Sequence, residues 1–118
     1  MNQNLVLTPQ TISTLKHILQ CVADKDIDGL KKLPNVSFVY DLDKFVHFLG
    51  SYGEKFSYPP ENFHLFIHLD RGNSSGDGIG VGLPIWSSGV DPTDVEIDIW
   101  IEDAANPQQI FVKGHRIP

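Results

Sequence analysis

Two histidines, His64 and His68, lie four positions apart on either side of Phe66, and Glu96, Asp98 and Glu102 fall at even spacing further along. Imidazole nitrogens and carboxylate oxygens on neighbouring strands are the donor types of a divalent metal site. The spacing argues against one. Positions four apart on a strand are about 13 Å apart, too far for one small ion to bridge without other elements. The reading that follows is a solvated sheet face, with no metal and no cofactor. Tyr40, Asp41 and Asp43 are acid–base types, but Asp41 stands where a helix cap belongs and Asp43 where first-turn negative charge is favourable. His17 and His47 fall on separate helices, and His115 is near the C-terminus. No Ser or Cys has the context of an activated nucleophile. The single Cys21 excludes an internal disulfide and reads as a small core residue between Leu19 and Val22. The glycines of Gly78–Trp86 fall inside a strand-period pattern with no Lys-Ser/Thr after them, which argues against a phosphate cradle. The expectation is a protein that is not an enzyme.

The element that positions most of these groups is Thr93–Asp103, TDVEIDIWIED. Val95, Ile97, Ile99 and Ile101 alternate with Glu96, Asp98, Trp100 and Glu102, the period of a strand with one face buried. The aliphatic face needs a core. The other face is acidic, with one large aromatic at its middle.

Before it the chain reads as helical. Thr8-Pro9 is a helix start, with Ile12, Leu15, Ile18, Leu19 and Val22 as one apolar stripe. Asp26 caps a short helix over Ile27–Leu33, which Pro34 ends. Val36–Tyr40 reads as a short strand. Leu42, Phe45, Val46 and Leu49 form the stripe of a third helix, closed at Gly50 or Gly53. From Asn62 onward the pattern reads as β only: Phe63–Asp70, Gly78–Trp86, the acidic strand and Ile110–Ile117, with RGNSSGD, SSGVDPT and AANPQ as turns. Helices first and strands afterwards predict one α+β domain over residues 1–118. Two to three helices would pack on one face of a curved antiparallel sheet of about four main strands. Gly78, Gly80 and Gly82 share one strand face, where the sheet can bend or admit a neighbour closely.

The chain carries 15 acidic and 9 basic residues, a net charge of −6. That argues against nucleic acid or an anionic membrane as partner and suits a basic protein. No apolar run approaches the ~18 residues of a membrane span, and no signal-peptide pattern is visible in MNQNLVLTPQ, so a cytoplasmic bacterial protein is expected.

The order of elements in TISTLKHILQCVADKDIDGLKKL and the strands after it resembles SnoaL-like, nuclear-transport-factor-like cone domains. The stretch IWSSGVDPTDVEIDIWIED with IFVKGHRIP is similar to small bacterial proteins of immunity-protein type. The cone resemblance implies a cavity between sheet and helices, with Trp86, Tyr40, Phe45 and His47 at its mouth. It departs from cone enzymes in having almost only aliphatic inward positions.

Phe66, Trp100, Glu96, Asp98 and Glu102, with His64 and His68, would lie opposite the aliphatic side of the sheet. Exposed aromatics among carboxylates have the composition of an interface, in which aromatics anchor and acids steer a basic partner. A homodimer contact, or a loop covering Trp100, accounts for the same face. The leading expectation is an immunity protein that neutralises a cognate toxin by direct binding. The alternatives are a cone-fold small-ligand binder or enzyme and a non-catalytic regulatory subunit.

Overall fold

Thr8 opens the first helix, α1 (Pro9–Asp24), by accepting the Thr11 amide on its side chain, with Pro9 at the first helical position. Leu15, Ile18, Leu19 and Val22 form its buried face. Lys25, left-handed at φ 56°, ends it. Asp26 then caps α2 (Ile27–Lys31) by accepting the Gly29 amide at 2.9 Å. Gly29 is glycine for lack of room, since a Cβ there would run into the Asp26 carboxylate and approach Cys21 Sγ. Asp41 caps α3 (Leu42–Gly50) by accepting the amides of Asp43 and Lys44 at 2.9 and 3.3 Å. The computed structural model describes residues 7–39, 41–50, 55–75, 78–87, 92–102 and 108–116. Tyr40, Gly53, Asp103 and Ile117, each given a place by the sequence pattern, lie outside them.

The strands are β1 (Val36–Phe38), β2 (His68–Ser75), β3 (Gly78–Pro84), β4 (Glu96–Glu102) and β5 (Gln109–Arg116). They form one sheet in the order β1-β5-β4-β3-β2. β2 to β5 are an antiparallel meander, as the short connections predict. The fold is α+β, but the sheet has five strands and is mixed. β1 runs parallel to β5, with Val36 opposite Ile110 and Phe38 opposite Val112. A three-residue strand carries no periodicity from which its partner could be read.

The segment after Asn62 also departs from the β-only reading. Phe63–Phe66 is a 3-10 turn, with the Leu65 amide on the Asn62 carbonyl and the Ile67 amide on that of His64. Two of its aromatics are three apart, and that spacing wins over alternation. Phe63 is buried, while Leu65, placed by alternation on the inner face, is 71% exposed.

Helices and sheet enclose one core. Leu15, Ile18, Leu30, Phe45, Leu83, Ile97 and Ile99 are each at most 1% exposed within it. Ile97, Ile99 and Ile101 point toward the core, as their parity requires. A buried bond ties α1 to the approach to β5, Thr11 Oγ1 donating to Gln108 Oε1 at 2.6 Å.

Tyr58 fixes the far end of α1, its phenol donating to Asp24 Oδ2 at 2.5 Å. That bond, and secondarily desolvation and the carboxylate charges, raises the phenol's pKa. The folded state therefore holds this proton to higher pH than the unfolded chain. The contribution is complete below the ordinary tyrosine value of about 10 and is lost as pH rises through the folded value. Spectrophotometric titration should show one of the three tyrosines ionising late, and Asp24→Asn should bring it earlier. An unchanged curve in Asp24→Asn would count against the bond.

Candidate functional site

Glu96 is the first residue of β4, opposite Pro84 of β3. Its parity places it with Asp98, Trp100 and Glu102 on the face away from the helices. His68 begins β2, opposite Gly82, and shares that face. β2 and β4 are two strands apart, roughly 9–10 Å between backbones. The side chains nevertheless meet across β3, where Gly82 offers no side chain to separate them. His68 Nδ1 lies 2.5 Å from Glu96 Oε2. The imidazole and the carboxylate are thus in direct contact.

The two partners differ in exposure. The His68 side chain is 67% exposed and that of Glu96 only 4%. This corrects the expectation of an open acidic face at its first position. Glu96 is a buried carboxylate held under an accessible imidazole. Alternation reports which way a side chain points, not whether something else covers it.

The pair forms the polar floor of a cleft of about 330 Å³. Leu65, Phe66 and Ile67 line one wall, and Pro84, Pro92, Thr93 and Asp94 line the other. The second wall is pinned to the core edge. The Thr93 amide and Oγ1 both donate to the Ile85 carbonyl at 2.8 Å, and Thr93 Oγ1 accepts the Val95 amide at 3.2 Å. The volume reaches the lower range of small-ligand and side-chain pockets.

The remaining residues of the expected surface divide. Asp98, Trp100 and Glu102 are half-buried on the face opposite the core. Trp100 is opposite Gly80 on β3 and Phe111 on β5. Its indole lies against Gly78, where a Cβ would meet Cε2 and Cζ2. The close approach admitted at Gly78 is that of the Ile101 carbonyl, which a Cβ would meet first, and then of the Trp100 ring. Phe66 is not a sheet residue. It belongs to the 3-10 turn, with its ring edge-on to Trp86 at 5.6 Å. His64 is exposed on that turn, beside Phe63.

Of the residues placed at a cone-cavity mouth, Tyr40 lies outside the described residues. Trp86 and Phe45 are each 1% exposed in the core, and His47 is exposed on α3. His115 packs toward Phe45 with ring centroids 6.2 Å apart, and burial lowers its pKa. The Cys21 thiol is pushed up, mainly by burial and then by Asp26 and Asp24, which reduces its thiolate fraction. Among the described residues, no three His, Cys, Asp or Glu side chains are grouped to hold a metal ion. Nor is any described helix long and apolar enough to cross a membrane.

The His68–Glu96 pair was not readable beforehand, because nothing local links residues 28 positions apart. Its one sequence signal is Gly82 two residues before Pro84, an empty position beside a strand end. A double-mutant cycle of His68→Ala and Glu96→Gln should give a coupling of about 0.5–1.5 kcal/mol in urea unfolding, held down by the exposure of His68. Additive effects would mean that the contact contributes nothing to stability.

The fold and site define an α+β arrangement of three helices and a five-stranded mixed sheet, with a cleft on the side away from the helices. No protein-family model, curated protein or solved structure matches the chain.

Proposed function

We propose that this chain is a small acidic binding protein that engages a basic protein through the sheet face opposite its helices. Its role, on this reading, is that of a cytoplasmic bacterial immunity protein neutralising a cognate toxin. The observation that carries the reading is the half-exposed indole of Trp100, with Asp98 and Glu102 on the same strand face. An aromatic anchor flanked by carboxylates supplies contact area and attracts cations. The chain's charge of −6 acts in the same direction at longer range. Co-expression with a basic protein encoded beside it should yield a co-purifying complex and protect growth. Normal growth of cells making that neighbour alone would sink the toxin assignment.

The cone-fold reading draws support from the element order of two helices, strand, helix and meander. The space between helices and sheet, however, is filled by Leu15, Ile18, Phe45, Leu83 and Ile97. This favours protein binding on the opposite face over a ligand cavity of the cone type.

A further inference from the structure

We infer that the cleft between the 3-10 turn and the Pro92–Asp94 segment receives a tyrosine side chain of the basic partner. This inference rests on the protein-binding reading above and assigns the chemistry of one contact within it. Apolar side chains line the cleft on both sides, Leu65, Phe66 and Ile67 against Pro84 and Pro92. Leu65 lines it while 71% exposed, apolar surface that a largely apolar occupant would remove from water. A volume of about 330 Å³ is at the low end for a bound small molecule. It gives room for one large side chain rather than for a helix or a strand. Tyrosine and tryptophan cover the most apolar area of any polar-tipped side chain and recur as anchors of protein interfaces.

The polar end of the cleft selects tyrosine. His68, 67% exposed, touches Glu96 through Nδ1, which leaves Nε2 outside that contact. Depending on the ring's charge and tautomer, Nε2 either accepts a hydrogen bond or donates one. A phenol hydroxyl does both, so it matches the imidazole in every state. An indole, an ammonium and a guanidinium only donate, and phenylalanine offers neither. Asp94, exposed at the rim, is a second acceptor for the phenol's hydrogen and repels an acidic side chain. The fit asks nothing of Glu96, which is buried and already in contact with His68. Glu96 and Trp100 share one face of β4 four positions apart, about 13 Å along the strand. Cleft and indole are thus two anchor points of one surface.

The test uses the whole chain and N-acetyl-tyrosinamide as probe, followed by NMR. The matched phenylalanine and arginine compounds serve as controls. The tyrosine probe should shift the resonances of Leu65–His68 and of Thr93–Glu96, and should bind at least about threefold more tightly than either control. Leu65→Ser, at an exposed position, should weaken it several-fold with an unchanged thermal transition. Equal binding of tyrosine and phenylalanine overturns the hydroxyl assignment. No shift at the cleft, or tighter binding of the arginine compound, overturns the inference. If the cleft is silent but a basic protein is still captured through Trp100, this inference fails and the protein-binding reading stands. Should the cleft take the tyrosine probe while no basic protein is captured, the reading fails and the phenol site remains.

Discussion

Trp86→Ala should lower the stability of this protein by roughly 3–5 kcal/mol, the range for emptying a large buried aromatic site. Trp86 is the largest fully buried side chain, 1% exposed, and its ring meets Phe66 edge-on. Its carbonyl also accepts the Ser57 amide at 2.8 Å, a backbone contact that survives the substitution. The loss should therefore come from the side chain, visible as a lower urea midpoint with an unchanged slope. For a domain of this size it corresponds to a fall in Tm of about 10–20 °C. Trp86→Phe should recover part of the loss by refilling the site. A Trp86→Ala variant as stable as the parent would mean that this position is not in the core.

The second large effect separates two neighbours on β4. Ile99 is wholly buried against the helices, and Ile99→Ala should cost roughly 2–5 kcal/mol. Trp100 faces the other way and is half-buried, with its indole against Gly78. Part of that ring area is shielded, so Trp100→Ala should cost about 1 kcal/mol of stability, more than an open surface position would. Its larger effect should be on binding, a loss above about 2 kcal/mol with the basic partner. Two denaturation curves and two titrations measure this. Equal destabilisation by both variants would show that Trp100 is a core residue and that this face is closed to a partner.

The division between what could and could not be read ahead follows from the range of the interactions. Thr8, Asp26 and Asp41 cap their helices within a few residues of themselves, so local sequence was enough to place them. The alternation of Ile97, Ile99 and Ile101 determined which face is core for the same reason. The parallel pairing of β1 with β5 joins distant segments, and no pattern in Val-Ser-Phe announces it. The stretch Phe63–Phe66 satisfied both a period of two and a spacing of three. What decided it was the packing of Phe63 and Phe66 against the core. Glu96 was placed on the correct face, but it is buried and paired with His68, brought over from two strands away.

The pairing of β1 with β5 bears on how the chain folds. Val36 and Ile110 are 74 positions apart, yet the Ile110 amide donates to the carbonyl of Asn35 at 2.8 Å and that of Val39 to Val112 at 3.0 Å. Gln108, just before β5, also holds Thr11 of α1. β5 therefore joins the helical half of the molecule to the meander, although it is the last described strand to be synthesised. Until it arrives, β1 has no neighbour in the sheet and β4 presents an open edge. Contacts of such long range are slow to form, because the loop must close before they repay its entropy. A chain stopped short of Gln108 would thus lose two strands rather than one, and would expose the acidic strand's hydrogen-bonding edge to other chains.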